Sequence, residues 1–311
     1  MLELDLVGIG KIIFYISIAP LILYSFKYYF FSFASIASRK KPRAPPGKII
    51  TPKVSIHIPV YNDPVVVECV KSCMKFDYPK NKVEIIVADD STDQTSELLD
   101  KLHKETNGAF KIVRRTSRTG YKAGALNLAL KHSTSEVIVI FDSDYILDRS
   151  FLKDIVQPFV DSKIGYVQTR WDYLNAGKNW VSRLAMTAYA AFHQCSMPIK
   201  EKIGTAIFCG TGGALRTQLL RDAGGWNEDS IAEDLDITVR ILQKGYRQAY
   251  LPDVKARGEV PSTLMSFIRQ QQRWAYGTTS VMKKEYGNNS NQEKSMRQLL
   301  ITFTRETQNN K

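Results

Sequence analysis

Apolar positions follow two different patterns along the chain. Over residues 12–37 almost every position is apolar or aromatic, with Lys27 as the interruption. A helix needs roughly 20 apolar residues to cross a bilayer, and this stretch meets that requirement if Lys27 reaches toward an interface. Tyr24, Tyr28 and Tyr29 suit an interfacial belt beside it. From residue 54 onward, short apolar runs alternate with amphipathic ones. Residues 54–58 read as a strand closed by Pro59, and residues 64–76 as a helix with Pro64 in its first turn. A second strand is predicted over 83–88. The next helix is capped by Thr92 or Asp93 and runs to about His103. A strand over 110–113, a helix over 122–131 and a buried strand over 137–141 complete the series. This alternation predicts an α/β domain with a doubly wound, mainly parallel sheet. The second half is less regular: a strand at 165–169, a long helix from about Asn179, a helix over 233–244 and another from Ser262.

The flanks of the apolar stretch give it a direction. Glu3 and Asp5 precede it in place of the basic cluster of a secretory signal. Arg39, Lys40, Lys41 and Arg43 follow it, which places the rest of the chain on the cytoplasmic side of a membrane. The proline-rich run over 42–52 reads as a linker. Three regions result: a membrane helix with its linker (1–50), a catalytic domain (51–285) and a polar tail (286–311). The tail's one apolar stretch, residues 296–303, is too short to span a bilayer.

Composition narrows the partners. A formal net charge of +12 suits an anionic partner: a phosphorylated substrate, an anionic lipid surface or nucleic acid. The four cysteines, Cys69, Cys73, Cys195 and Cys209, form neither a disulfide framework nor a zinc pattern. Apart from residues 39–43, Arg114 and Arg115 with Arg118 make the one comparable basic cluster, so a nucleic-acid or lipid-binding reading has little to stand on.

Chemistry is expected beyond the carboxyl ends of the strands, where open α/β sheets bind ligands. Tyr61, Asn62 and Asp63 follow the first strand, Asp89, Asp90 and Ser91 the second, and Asp142, Ser143 and Asp144 the fourth. A single such aspartate is an ordinary turn residue. Acids ending three of four strands would repel one another unless a cation or donor groups bind them. No G-x-G-x-x-G follows the first strand and no phosphate-binding G-x-x-x-x-G-K-[ST] occurs, which disfavours dehydrogenases and P-loop enzymes. A carboxylate-lined edge instead suits a diphosphate held through Mg2+ or Mn2+. Asp142 and Asp144, on alternate positions of an extended segment, point to the same side and can share one ion. Further on, Glu233, Asp234 and Asp236 open a helix, where acids also serve simply as caps. In Gln270-Gln271-Gln272-Arg273-Trp274, Arg273 can neutralise a leaving diphosphate and Trp274 can offer a face to a sugar ring.

In order along the chain, Pro59-Val60-Tyr61-Asn62-Asp63, Asp89-Asp90-Ser91-Thr92-Asp93, Gly120-Tyr121-Lys122-Ala123-Gly124-Ala125-Leu126, Asp142-Ser143-Asp144, Phe208-Cys209-Gly210-Thr211, Ala232-Glu233-Asp234 and Gln270…Arg273-Trp274 form a set. Over residues 53–277 the chain resembles the processive branch of the family 2 inverting glycosyltransferases, which holds cellulose, hyaluronan and mannan synthases. The stretches 120–126, 223–226 and 261–263 look most like the glucomannan mannosyltransferases and the xyloglucan-backbone glucan synthase-like enzymes. The resemblance implies a GT-A, Rossmann-like fold and transfer of a sugar from a UDP- or GDP-hexose to a saccharide or lipid-linked acceptor, forming a β-linkage. On this resemblance Tyr61, Asp63, Asp89 and Asp90 would hold the nucleoside and Lys122 the diphosphate. Asp142 and Asp144 would bind metal and donor, and Asp234 would be the general base. Glu233, Gln270, Arg273 and Trp274 would shape the acceptor end and the leaving group, and Phe208, Cys209, Gly210 and Thr211 the acceptor mouth. The channel helices of processive members do not follow within these residues, so either the chain is truncated before them or it lacks a channel of its own, and the resemblance implies sugar transfer more directly than polymer export. Two readings compete: a carboxylate-pair glycoside hydrolase, whose activity would survive EDTA, and a remnant that binds donor without turnover.

Overall fold

The computed structural model describes residues 6–37 and 49–287. The basic cluster at 39–43, most of the proline-rich linker and the tail from residue 288, including 296–303, lie outside the described residues, as do the side chains of Tyr24, Lys27 and Tyr28.

Helix α1 (Leu6–Ala37) contains Pro20. It touches the domain at a π-helical turn, Phe192–Ser196, and at the helix that follows. Large apolar side chains stand exposed on it, among them Ile16, Leu23, Phe26 and Phe33. The expected helix is present. Among the described residues no helix is long and apolar enough to cross a membrane.

The domain begins with β1 (Val54–Val60), α2 (Val66–Met74), β2 (Val83–Asp89), α3 (Thr95–Glu105), β3 (Lys111–Arg114), α4 (Tyr121–His132) and β4 (Val137–Ile140). These strands are parallel and neighbour one another as β3-β2-β1-β4. The runs of β1, β2 and β4 are mostly apolar because both faces of the sheet are covered there. In β4, Val137 and Val139 enter the core on the α2 side, while Ile138 and Ile140 enter the core on the α4 side. In β1 the second face carries Ser55 and His57, both buried, joined by a 3.1 Å contact between Ser55 Oγ and His57 Nε2. Burial pushes the His57 pKa down to about 3, so this imidazole is neutral and structural.

The second half departs from the expected parallel, doubly wound sheet. It comprises β5 (Ile146–Leu147), α5 (Phe151–Ile155), β6 (Ile164–Tyr173), α6 (Trp180–Ala191), α7 (Met197–Lys202), β7 (Gly213–Arg216), α8 (Thr217–Asp222), α9 (Glu233–Gln243), β8 (Arg247–Gly258) and α10 (Leu264–Gly287). The whole sheet has eight strands in the order β3-β2-β1-β4-β7-β6-β8-β5. β7 runs antiparallel to both β4 and β6, β8 runs parallel to β6, and β5 runs antiparallel to β8. The sheet is thus mixed, in a GT-A-like α/β fold. The predicted helices at 179, 233 and 262 correspond to α6, α9 and α10, with the Asn179 side chain accepting from the Ser182 N–H as the cap of α6.

Candidate active site

The carboxyl ends of β1, β2 and β4 and the amino end of β7 meet on one edge of the sheet. At the end of β1, Asn62 adopts a left-handed backbone (φ 52°). Its N–H donates to Ser91 Oγ at 2.9 Å and its side-chain oxygen accepts from the Thr92 N–H at 2.8 Å, tying the first strand's loop to the second's. Tyr61 beside it is exposed, and the Arg118 guanidinium lies 3.3 Å above its ring centre. Asp89 is buried and accepts from Arg114 Nε (2.8 Å), Ser96 Oγ (2.7 Å) and the Ser91 N–H (2.9 Å). Burial favours its protonated form, but these hydrogen bonds outweigh it and hold the carboxyl below its usual pKa. Asp90 takes a two-point contact from Arg115, at 2.8 and 2.6 Å. These two acids therefore organise the edge between β2 and β3, each paired with an arginine. The pairings also dissolve the basic cluster seen in the sequence, since Arg114 and Arg115 face carboxylates of their own chain.

A second group converges on Lys122, in the first turn of α4. Its ammonium lies 2.6 Å from Asp142 Oδ1, 3.1 Å from the Gly210 carbonyl and 3.8 Å from Glu233 Oε1. Burial favours neutral lysine, but Asp142, Glu233 and Asp234 outweigh it and hold the pKa above its usual value. The Asp142 N–H donates to Thr211 Oγ1 at 2.9 Å, which joins the end of β4 to the loop entering β7. One residue on, the Ser143 hydroxyl donates to the Asp63 carboxylate. Asp144 Oδ2 accepts from the Glu259 N–H at 3.1 Å. Burial first, then the Asp142 charge and to a lesser degree Asp63, push the Asp144 pKa up to about 6. Asp63, Asp142 and Asp144 are thus close enough to repel one another. Among the described residues no three His, Cys, Asp or Glu side chains form a ready-made metal cage. Two carboxylates with open positions match what Mg2+ or Mn2+ uses when phosphate and water complete the shell.

Asp234 sits in the first turn of α9, with Oδ1 accepting from the Leu235 N–H at 2.8 Å. Its Oδ2 lies against Gly210, so close that a Cβ there would be 3.1 Å away, and Gly210 has a φ of +74°. Burial pushes the Asp234 pKa up, with Lys122 opposing and the Asp142 charge adding to it. Glu233 is raised by the same causes, burial first.

The 208–211 loop does not present all its side chains to a cleft. Phe208 is fully buried, packed against Tyr166 and Trp226 in the core, which corrects the expectation that it lines an acceptor mouth. Thr211 is buried too, and Cys209 is half-buried. The loop faces the site through the Gly210 carbonyl and Thr211 Oγ1. On α10, the Gln270 side-chain oxygen accepts from the Tyr189 hydroxyl, and the Trp274 ring stands 5.2 Å from that of Tyr189 and 6.3 Å from that of Trp171. Trp274 is therefore half-packed in an aromatic cluster rather than a free platform. Arg273 is exposed, and among the described residues it makes no side-chain hydrogen bond or ion pair.

Residues 52–277 match the family described as "Glycosyltransferase like family 2". The chain belongs to this family. The match covers the whole described sheet and every group placed above. This family 2 glycosyltransferase is 34% identical over 258 residues to glucomannan 4-beta-mannosyltransferase 7 of Arabidopsis thaliana, covering 78% of this chain and 45% of that protein. It is 32% identical to glucomannan 4-beta-mannosyltransferase 1 of Oryza sativa subsp. japonica, covering 76% and 48%. The chain thus spans about half the length of these curated relatives. Among solved structures it is similar to the mannosyltransferase PcManGT of Pyrobaculum calidifontis in complex with GDP-Man and Mn2+, with a TM-score of 0.70 and 26% identity over 88% of this chain and 76% of the other. It shares the fold of S. aureus TarS 1–349 in complex with UDP, with a TM-score of 0.54 and 24% identity over 81% and 70% of the two chains.

Sequence reasoning missed two residues that shape the site of this glycosyltransferase. Gln168, fully buried on β6, donates from Nε2 to the Thr211 carbonyl at 3.0 Å and accepts the Cys209 N–H at 2.8 Å. Trp171 Nε1 donates to the same Thr211 carbonyl at 3.2 Å. The signal for Gln168 was available: a polar side chain inside an apolar strand must find partners.

Proposed function

We propose that this chain is an inverting, metal-dependent hexosyltransferase. It moves a sugar from a GDP- or UDP-hexose to an acceptor saccharide hydroxyl and forms a β-linkage in polysaccharide synthesis. The observation that carries the reading is the meeting of Asp142, the Gly210 carbonyl and Glu233 on one ammonium, Lys122, with Asp234 beside them. Four separate elements deliver these groups to one place, which simple capping of α9 does not explain. The donor bound by PcManGT and the mannosyltransferase activity in the plant relatives' names support the same reading.

In this reading Asp142 and Asp144 would hold the divalent ion, which when bound would supply positive charge to the donor diphosphate. Lys122, in contact with Asp142, would take up leaving-group charge. Tyr61 and the Asp89–Asp90 edge flank the nucleoside, and Asp63 braces Ser143 between the two metal carboxylates. Asp234 is the general base. Its burial makes it more basic than a surface aspartate, closer to the working pH at which a base is most effective. It removes the proton from the acceptor hydroxyl, whose oxygen attacks the anomeric carbon opposite the diphosphate. Gly210, Thr211, Glu233 and Arg273 stand at the acceptor and leaving-group end, and Gln270 and Trp274 fix α10 there.

The domain assignment follows: residues 51–285 catalyse, and residues 1–50 attach that domain to a membrane. The exposed apolar surface of α1 supports attachment, as do Trp180 and Leu184 on α6 and Met265 and Ile268 on α10, which also stand exposed. The basic residues 39–43 would face the cytoplasm.

The test is nucleotide release from GDP- and UDP-sugars with Mn2+ or Mg2+ and candidate acceptors. Asp234→Asn should lower turnover by roughly 10²–10⁴-fold while leaving donor affinity intact. Turnover near wild type would remove Asp234 as the base, and release that persists in EDTA would remove the metal.

A further inference from the structure

We propose that Arg118, laid across the face of Tyr61, reads the base of the donor nucleotide and makes this enzyme prefer guanine to uracil. The inference rests on the nucleotide-sugar reading above and deepens it. Three arginines lie close together in this segment, and two of them are committed: Arg114 to Asp89 and Asp100, Arg115 to Asp90. Arg118 is exposed, and among the described residues its side chain makes no hydrogen bond or ion pair, while its carbonyl accepts from the Tyr121 N–H at 3.1 Å. Its partners are rings, with Tyr61 at 3.3 Å and Tyr121 at 5.4 Å.

The segment carrying it is fixed rather than loose. Arg115 donates both to the Thr119 carbonyl and, at 2.7 Å, to the Tyr121 carbonyl, while the Ser117 and Thr119 hydroxyls meet at 2.8 Å. The same Arg115 grips Asp90, so the segment is locked to the strand end where the nucleoside belongs. Tyr121 has a φ of +45°, a backbone state that costs a bulky residue energy and that tends to persist where function demands it. Its ring is exposed, like that of Tyr61. The result is a planar cation supported on an aromatic face, with its N–H edge open.

A guanidinium is a flat fork of donors, and stacking on a ring leaves that fork in use. Guanine offers two adjacent acceptors, O6 and N7, which a fork can engage together. Uracil offers O4 beside the N3–H donor, so it can take one such bond and sets a donor against a donor at the second. A two-point contact of this kind discriminates bases by about 1–3 kcal/mol, or about 5- to 150-fold in affinity.

The experiment measures calorimetric dissociation constants of GDP and UDP, each with Mn2+, for the full chain as wild type, R118K and R118A. Thermal unfolding confirms that the exposed substitutions leave the fold intact. Wild type should bind GDP 5- to 150-fold more tightly than UDP. R118K keeps the charge but loses the fork, so it should bring the two nucleotides within about threefold by weakening GDP alone. Equal or tighter UDP binding by wild type overturns the inference. So does an equal loss of both nucleotides in R118A that R118K restores, since that pattern assigns Arg118 to phosphate charge. If wild type binds neither nucleotide with metal, the nucleotide-sugar reading itself falls.

Discussion

Replacing Asp144 with asparagine should make the metal-free protein more stable and the enzyme inactive. The Asp144 carboxyl titrates near 6 instead of 3.8, because burial and the neighbouring Asp142 charge both resist its ionisation. In the unfolded chain it is ionised above about pH 4. Between about pH 4 and 6 the folded state therefore binds more protons than the unfolded one, so stability falls as pH rises through that window and the full cost applies above it. At about 1.4 kcal/mol per pH unit that cost is about 3 kcal/mol, and partial solvent screening reduces it to about 1–2 kcal/mol. Asp144→Asn removes the charge and keeps an oxygen that can accept the Glu259 N–H. For a domain of this size the gain corresponds to a Tm about 2–6 °C higher at pH 7.5. At pH 4.5 the wild-type carboxyl is already protonated in the folded state, so the advantage should shrink to about a third of its value at pH 7.5. Millimolar Mn2+ should raise the Tm of wild type at pH 7.5 and leave that of the variant unchanged. Thermal scans at the two pH values decide the matter. A variant that melts lower than wild type at pH 7.5, or gains equally at both pH values, would refute the claim that this carboxylate is held ionised at a cost that a cation relieves.

Gly210→Ala places a methyl group 3.1 Å from Asp234 Oδ2 on a backbone with φ +74°. It should cost about 1–2 kcal/mol of stability and lower kcat at least about tenfold through the displaced carboxylate, with donor affinity by calorimetry unchanged. Gly277→Val sets a side chain where a Cβ already comes 2.9 Å from that of Ala232, the residue before Glu233 and Asp234. Steady-state kinetics should show a fall in kcat exceeding that of Gly277→Ala, because the larger side chain drives α10 off the start of α9. Mn2+ affinity of wild type should weaken as pH falls through about 6, where protons compete for Asp144. A flat binding curve between pH 5 and 7.5 would contradict this.

The parallel half of the sheet was legible because β1, β2 and β4 are covered on both faces, which forces continuous apolar runs bounded by turn residues. The antiparallel half was not. β7 is four residues long, Gly213–Arg216, and β8 carries Arg247, Pro252, Asp253, Lys255 and Arg257, a composition that reads as loop. β8 is a strand because β6 on one side and β5 on the other satisfy its backbone, a tertiary effect that no local pattern announces. In the site, strand-end acids could be picked out, but their separation into two groups could not. That depends on Arg114 at the end of β3 and Arg115 beyond it lying next to Asp89 and Asp90 at the end of β2, a pairing set by the sheet order. Likewise Phe208 lies inside a recognisable motif, and only packing against Tyr166 and Trp226 reveals that it serves the core.

The reversed direction of β7 has a consequence for how such proteins diversify. Because this strand enters the sheet head-on against β4, its leading loop abuts the Asp142 turn although the two are far apart along the chain. In the proposed reading the nucleotide edge would be encoded in one contiguous block, residues 54–144, and the proton-accepting wall in another, residues 208–277. A recombinant that exchanges the first block between two homologues can swap the activated sugar's carrier while inheriting the acceptor chemistry unchanged, provided the seam at Thr211 and the Lys122 contacts are kept.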